Sequence, residues 1–310
     1  MKKTMAVLLA AGVVFGAAPH QTVLASSTWG SGELKKGQIG KVTALADAAI
    51  YTKSGSSWSQ VYKMKKGQVS RVYTNRDGFY GLGGGKFVKS SSAVKYETPS
   101  KSRYEALNGV KVVKHQFKDA PITYAQVTGA ANPEAEKKIN AFLYKEAEKD
   151  YAFYLKFKQT EEQDKKQWEK DGKPYEWRPY EYEGTFEIHF NQNHLLSVVN
   201  YSYQYMGGAH GMTAANALNF NTLNGSQFQL SDVIHNKFKT VQQYVVTDLK
   251  NQHDKKQNGI ELSALKTVRI TNNSTWTFDR KGIKIIFGEY EVAPYAAGMP
   301  VSIVPMSVYQ

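Results

Sequence analysis

The chain contains no cysteine. That excludes disulfide staples, thiolate zinc sites, cysteine nucleophiles and a lipid-modified cysteine anchor together. It also lacks long hydrophobic runs beyond its first residues, and none approaches the roughly 20 apolar residues of a membrane-spanning helix. No Gly-x-Ser-x-Gly elbow, His-Glu-x-x-His helix or phosphate-binding loop occurs. Gly83-Gly84-Gly85 lies in a β-like stretch with no following helix and no Lys-Ser/Thr partner, so it reads as a turn. Without cysteine or a convergent carboxylate motif, neither a metal site nor a cofactor is expected.

What is present begins with an export signal. Lys2 and Lys3 precede an uncharged apolar run of 14 residues, 5–18, and Val23-Leu24-Ala25 supplies a small-residue cleavage site. Residues 1–25 therefore read as a secretory signal peptide, too short in its apolar part to span a membrane. Cleavage after Ala25 leaves 285 residues, enough for two domains, in a secreted protein that is extracellular or held in the cell wall. The net charge is +13 and unevenly spread: residues 26–100 hold 12 Lys and Arg against 4 Asp and Glu, whereas residues 101–310 hold 26 against 23. An exported module with that basic excess suits anionic wall polymers, peptidoglycan or teichoic acid, and the attraction would weaken with salt. No nucleic-acid partner is expected.

Residues 37–96 form short alternating segments separated by Gly55, Gly67, residues 75–78 and the glycine triplet, the pattern of a small all-β barrel. Residues 92–101, with Pro99 and small polar residues, read as a linker. Beyond it, residues 110–117 and 122–127 are β-like. The clearest helix follows, with Asn132 as N-cap, Pro133 at the first helical position, Glu134 and Glu136 in the first turn, and a stripe through Ala135, Ile139, Leu143, Ala147, Tyr151 and Leu155. The charged stretch 161–183 reads as a long solvated excursion. Residues 185–190 and 195–205 predict an antiparallel hairpin, residues 216–220 and 228–230 continue its sheet, and a second helix starts at Ser231 and runs through Leu249. A last hairpin spans 275–287. The fold class is α+β: a barrel over 26–98, then a mixed α+β domain over 99–310 with an antiparallel sheet and two main helices.

Two resemblances attach to these regions. The succession Ser-Gly-Ser-Ser-Trp, Val-Tyr-Lys-Met-Lys-Lys-Gly-Gln-Val, Asp-Gly-Phe-Tyr and Gly-Gly-Lys-Phe-Val-Lys resembles the SH3-type barrels appended to bacterial wall proteins. In the second region, the string from Ser197 through Gly207-Gly208-Ala209-His210-Gly211, the string Tyr290-Glu291-Val292-Ala293-Pro294-Tyr295-Ala296-Ala297-Gly298, and Leu230-Ser231-Asp232-Val233-Ile234 resemble an extracytoplasmic domain. That domain forms the outer part of the RsiV anti-sigma-factor family and accompanies a polysaccharide deacetylase in PdaC-like wall enzymes. The resemblance implies a binding module, since the anti-sigma relatives bind lysozyme. It marks Gly207, Gly208, Ala209, His210, Ala293, Pro294, Tyr295 and Gly298 as motif residues. The membrane span of the anti-sigma relatives and the several-hundred-residue deacetylase span are both missing, so neither activity is carried over.

Several residues invite a chemical reading. His210, among glycines that allow close backbone approach, could act as a base or ligand, but its place after a long strand favours a bend residue bonded locally. His189 and His194 flank a hairpin turn, a weak basis for a metal pair. Glu181, Glu183 and Glu187 invite a glycosidase reading, although carboxylates in a charged loop are ordinarily solvated. Trp177, Tyr180 and Tyr182 are either contact anchors or a lid folded over the sheet. Trp58 and Tyr80 are candidate groove residues of the barrel, with a core role as the simpler alternative. The expected function is a wall-associated binding protein that recognises a lysozyme-like protein or a peptidoglycan component, as an envelope-stress accessory or decoy. The alternative is a wall-modifying hydrolase acting through His210.

Overall fold

The computed structural model describes residues 28–29, 32–35 and 37–310, and the expected signal peptide lies outside them. No helix among the described residues is long and apolar enough to cross a membrane. Ten strands open the chain: β1 (Thr28–Trp29), β2 (Gly32–Glu33), β3 (Gly40–Ala44), β4 (Ala48–Ser54), β5 (Ser57–Met64), β6 (Val69–Val72), β7 (Thr74–Arg76), β8 (Phe79–Gly83), β9 (Lys86–Lys89) and β10 (Val94–Glu97). They pair antiparallel in the orders β1-β2, β10-β3-β6 and β5-β4-β9-β8-β7. Alternation in β3 and β4 turns Val42, Ala44, Ala48 and Ile50 inward, where Met64, Val72, Val88 and Val94 complete one core shared by the two larger sheets. The stretch expected as a linker is therefore structured: β10 pairs with β3, and Ser100 caps the next helix by accepting the Arg103 N–H at 3.3 Å. Its small polar residues signalled a boundary, but Val94 belongs to the first core and Ala93 and Tyr96 pack against it.

Helix α1 (Lys101–Asn108) leads into the hairpin β11 (Lys111–Gln116) and β12 (Thr123–Thr128), then α2 (Pro133–Lys170), β13 (Glu181–Gln192), β14 (Leu195–Tyr205) and β15 (Met212–Asn221). Asn132 caps α2, its side-chain Oδ1 accepting the Glu134 N–H at 3.0 Å, with Pro133 at the first position as expected. The helix does not stop near Leu155. It runs 38 residues: Phe157 and Glu161 extend the buried stripe through the supposed excursion, and half-buried Trp168 follows two turns on. Segment 177–182 lies against that extension, with the Glu161 carboxylate accepting the Tyr180 N–H at 2.8 Å. Charged residues on the remaining faces disguised the period.

The sheet β13-β14-β15 is the central layer. Leu196, Val198, Leu218 and Phe220 meet Ile139 and Leu143 of α2 on one side. On the other, the Ser197 hydroxyl accepts the Phe278 N–H at 3.0 Å, and Asn219 donates to the Trp276 carbonyl at 2.8 Å. Those partners belong to a second sheet, β16 (Thr275–Asp279), β17 (Gly282–Ile286) and β18 (Val301–Pro305), backed by α4 (Phe238–Asp254) through Val241, Val245 and Leu249. The helix expected from Ser231 is broken in two. Leu230–Ile234 forms a separate turn, α3, because His235 and Asn236 take φ of 50° and 59°. Its cap is Gln229, whose N–H reaches Asp232 Oδ2 at 2.8 Å. Of the residues expected to continue the sheet, 216–220 do so within β15, whereas 228–230 form no strand: Gln227 bridges Phe220 and the chain enters α3 at Leu230. The α+β class stands. Among the described pairings the N-terminal strands form open sheets and no closed barrel is traced.

Candidate functional site

Strands β14 and β15 are joined by Met206-Gly207-Gly208-Ala209-His210-Gly211, in which Gly207 takes φ +81°. A Cβ on Gly211 would stand 2.3 Å from the Tyr203 ring, which would have to move to admit it. The second motif string arrives from after β17. Thr213 N–H donates to Glu289 Oε2 at 3.0 Å, and Gly288 N–H donates to Glu291 Oε2 at 2.8 Å, which hold the string at the mouth of the loop. Val292 and Ala293 anchor it in the core of the second sheet. Pro294 leads into a 3-10 turn, Tyr295–Ala297, closed by Gly298 at φ +65°.

Motif residues some 80 positions apart thus meet. The His210 ring stacks on Tyr295 with centroids 3.8 Å apart and planes 14° from parallel. Its Nδ1 faces the Gly211 carbonyl at 2.8 Å and so carries the hydrogen, leaving Nε2 to accept the Tyr290 hydroxyl at 3.0 Å. Tyr290 is 55% exposed and holds φ +64°, a left-handed conformation that costs a bulky residue roughly 1–2 kcal/mol. The result is an exposed, preorganised plate of His210, Tyr290 and Tyr295. Both His210 nitrogens are engaged, so it can act as a base only if Tyr290 withdraws.

The same loop borders an aromatic cavity through Met206 and Gly207. Arg178 Nη1 donates to the Tyr205 hydroxyl at 3.5 Å, which donates to the Gly208 carbonyl at 3.1 Å. Trp177 stacks on Tyr180 at 5.5 Å. The Tyr180 hydroxyl donates to Asp164 at 2.7 Å, and burial with that carboxylate pushes its pKa up to about 12. Tyr182, expected as either a contact anchor or part of a lid folded over the sheet, is buried at 7% exposure: its hydroxyl donates to Asp150, and burial above all drives its pKa upward. Strand alternation decides this, since Tyr182 and Gly184 face α2 while Glu181 and Glu183 face outward.

The other candidates stand apart from this face. Trp58 stacks on Phe79 at 3.9 Å with Lys53 Nζ 5.2 Å over its ring, and Tyr80 stacks on Tyr96 at 4.7 Å while accepting the Ser90 hydroxyl at 3.0 Å. His189 lies 3.1 Å from the Tyr201 hydroxyl, whereas His194 is buried beside Glu105, with Nδ1 3.4 Å from Oε1. The two histidines do not form a pair. Among the described residues no three His, Cys, Asp or Glu side chains gather where they could hold a metal ion. Sequence reasoning missed Trp168, Tyr175 and Arg178 in the cavity wall and Tyr290 as the partner of His210. The 157, 161, 168 spacing on α2 was the available signal for Trp168.

Residues 93–213 match the family described as Deacetylase PdaC, and residues 228–307 match the family described as Protein of unknown function (DUF3298). No curated protein matches the chain. Among solved structures, a member of the DUF3298 family from Bacteroides fragilis is similar at 19% identity and TM-score 0.47, covering 64% of this chain and 89% of its own. A DUF3298 family protein from Pseudomonas aeruginosa is similar at 16% identity and TM-score 0.40, covering 64% of this chain and 90% of its own. The chain thus carries a PdaC-like segment followed by a DUF3298-like segment, and the two motif strings fall one in each.

Proposed function

We propose that this is an exported, wall-associated binding protein. Residues 1–25 direct export, the basic SH3-like region over 26–98 docks on an anionic wall polymer, and the α+β region recognises a lysozyme-like protein or a wall component through the His210 face. One observation carries the reading: two motif strings far apart in sequence converge on an exposed aromatic plate with its rotamers set by stacking and hydrogen bonds. Rigid tyrosines are favoured binding anchors because little side-chain freedom is lost on contact. The PdaC-like and DUF3298-like matches support an extracytoplasmic, cell-wall-related role. On the basic region, Val61 and Tyr62 stand 46% and 53% exposed on β5, with Lys63, Lys65 and Lys66 beside them.

The test is binding of the chain lacking residues 1–25 to lysozyme and to purified cell walls, at low and high salt. Tyr290→Ala or Tyr295→Ala is expected to weaken lysozyme binding by about tenfold or more. Reversing Lys63 and Lys65 to Glu is expected to lower wall binding and flatten its salt dependence. Equal binding by all variants removes the reading. The rival, a wall-modifying hydrolase, is favoured by the match to the family described as Deacetylase PdaC. Release of acetate, sugars or peptides from walls, abolished by His210→Ala, would establish it.

A further inference from the structure

A different cavity opens at the other end of the central sheet. Leu195, in its wall, starts β14 and Tyr205 ends that strand, so the cavity lies a full strand length, about 30 Å, from the His210 loop. Its volume is about 500 Å³, within the range of small-ligand sites. Phe190, Leu195, Val233, Phe278 and Met306 make the walls mainly apolar, and buried Tyr309 completes them. Burial above all, with Asp279 nearby, pushes the Tyr309 pKa up to about 12, in keeping with a poorly hydrated wall. The rim is polar and comes from three turns: Gln192 and Asn193 between β13 and β14, His235 where α3 ends, and Asp279 and Arg280 between β16 and β17. Asp279 Oδ1 already accepts the Lys281 N–H at 2.8 Å, and the Gln310 main-chain oxygen accepts from Lys237 Nζ at 3.1 Å. Arg280 is exposed and has no hydrogen-bond or ion-pair partner among the described residues.

We infer that this cavity takes the alkyl chain of an anionic amphiphile, whose head group is held at the rim by Arg280. The walls gain most from an occupant that covers them with apolar surface, which a polar ligand does not do. A flexible chain fits them better than a flat ring. Phe190 and Phe278 stand 6.0 Å apart at 54°, which leaves no parallel slot between them, and the unbranched Met306 adapts to an irregular chain. The sign of the head group follows from the rim. Its unpaired charge is the Arg280 guanidinium, while Asp279, the one carboxylate side chain in the lining, is already engaged by its own turn. A carboxylate or phosphate head pairs with the free cation, and an ammonium head meets it as a like charge. A free alkyl carboxylate and an acyl chain of an anionic phospholipid share this chemistry. The inference goes beyond the proposed function, which needs only the His210 face.

The experiment titrates the chain lacking residues 1–25 with monomeric dodecanoate by calorimetry, while NMR follows the Met306 methyl signal, assigned through Met306→Leu. One equivalent is expected to bind and to shift that signal. Shortening the ligand towards octanoate is expected to weaken binding about threefold per methylene. Dodecyltrimethylammonium, with the same chain and the opposite charge, is expected to bind at least about fivefold more weakly, and Arg280→Gln to cost dodecanoate about fivefold. Val233→Trp and Met306→Trp fill the cavity and are each expected to cost about tenfold or more. Circular dichroism checks folding, and if buried Val233 does not tolerate the exchange, half-buried Met306 decides. The inference is overturned if dodecanoate does not bind, if the Met306 signal stays fixed, if the ammonium binds as tightly, or if the folded filling variant binds like the parent chain. Phosphatidylglycerol vesicles then separate the two sources: vesicle binding lost on Met306→Trp assigns the chain to a membrane lipid, and dodecanoate binding without it assigns a free alkyl carboxylate. A protein that ignores dodecanoate yet binds lysozyme through Tyr290 loses this site alone and keeps the proposed function.

Discussion

His194 and His210 both occupy turns that end strands of the central sheet, yet the protein uses them oppositely. His194 is 5% exposed and takes φ +61°. It is enclosed by Glu105 of α1 and Thr222, with the Ser102 hydroxyl 3.5 Å from Nε2. Glu105 is the centre of that knot: its Oε1 accepts the Thr222 hydroxyl at 2.6 Å and its Oε2 accepts the Ala131 N–H at 2.6 Å. The knot clips α1 and the start of α2 to the hairpin. His210 has only stacking and two hydrogen bonds, to Gly211 and Tyr290, on an exposed surface beside a cavity. The difference teaches that hydrogen-bond partners alone do not mark a site. A Ser-His-Glu arrangement whose His and Glu are buried is an internal clip, whereas the less enclosed histidine borders the surface where a ligand can be met.

The comparison is broken most forcefully at Glu105. Glu105→Ala leaves Thr222, the Ala131 N–H and His194 without their shared acceptor inside the protein. The expected loss is about 3 kcal/mol, and Tm falls by about 6–12 °C for a chain of this size. His210→Ala is expected to cost under about 1 kcal/mol. Thermal denaturation followed by circular dichroism measures both, and equal losses would erase the distinction. The knot also predicts a pH dependence. Burial alone raises the Glu105 pKa, but hydrogen bonds from His194, Thr222 and the Ala131 N–H outweigh it and hold the carboxyl below its ordinary value of 4.5. A depressed carboxylate stabilises the fold fully above its unfolded pKa and loses that contribution as pH falls through the lower folded value. The stability gap between the parent chain and Glu105→Gln, from urea unfolding, is therefore expected to be widest near pH 7 and to shrink on acidification below 4.5.

Two glycines sharpen the contrast at smaller amplitude. A Cβ on Gly109, at φ +76°, would lie 2.2 Å from Asn191 Oδ1 and 2.4 Å from the Asn191 carbonyl, and Asn191 itself bonds Val110 N–H at 2.9 Å. Backbone cannot step aside there, so Gly109→Ala is expected to cost about 2 kcal/mol. A Cβ on Gly211 meets only the Tyr203 ring. That ring can swing away, so Gly211→Ala is expected to cost about 1 kcal/mol while disturbing the His210 face and weakening ligand binding. Urea unfolding and a binding titration on the same two variants separate rigidity from function.

Much of this architecture was legible in the residues. Asn132-Pro133 announced the start of α2, alternation announced the β13 and β14 hairpin, and the two motif strings were recognisable before their contact was known. What escaped was set by tertiary structure. The second half of α2 looked solvated because its stripe is one side chain wide and includes Glu161, whose value lies in its bond to Tyr180. Tyr182 looked exposed because neighbouring glutamates masked which face of β13 is covered. The break between α3 and α4 rests on two left-handed residues, His235 and Asn236, and no periodicity records φ. Tyr290 lay inside a recognised string, but only the folded chain brings it to His210.

The smallest expected effect on stability tests the face most directly. Tyr290→Gly removes the residue at φ +64° and with it a strain of roughly 1–2 kcal/mol, while forfeiting a hydrogen bond to His210 of about 1 kcal/mol and some exposed ring contact. These terms oppose each other, so stability is expected to stay within about 1 kcal/mol of the parent chain. Glycine adopts that conformation freely, so a residue kept only to make the turn would lose nothing on this exchange. A tyrosine held there against its backbone preference is explained by what its ring and hydroxyl do outside the fold. Unchanged unfolding with a clear loss of lysozyme or wall binding therefore identifies Tyr290 as a contact residue of the face. Unchanged binding reduces it to a turn residue and returns the His210 cluster to the same standing as the His194 knot.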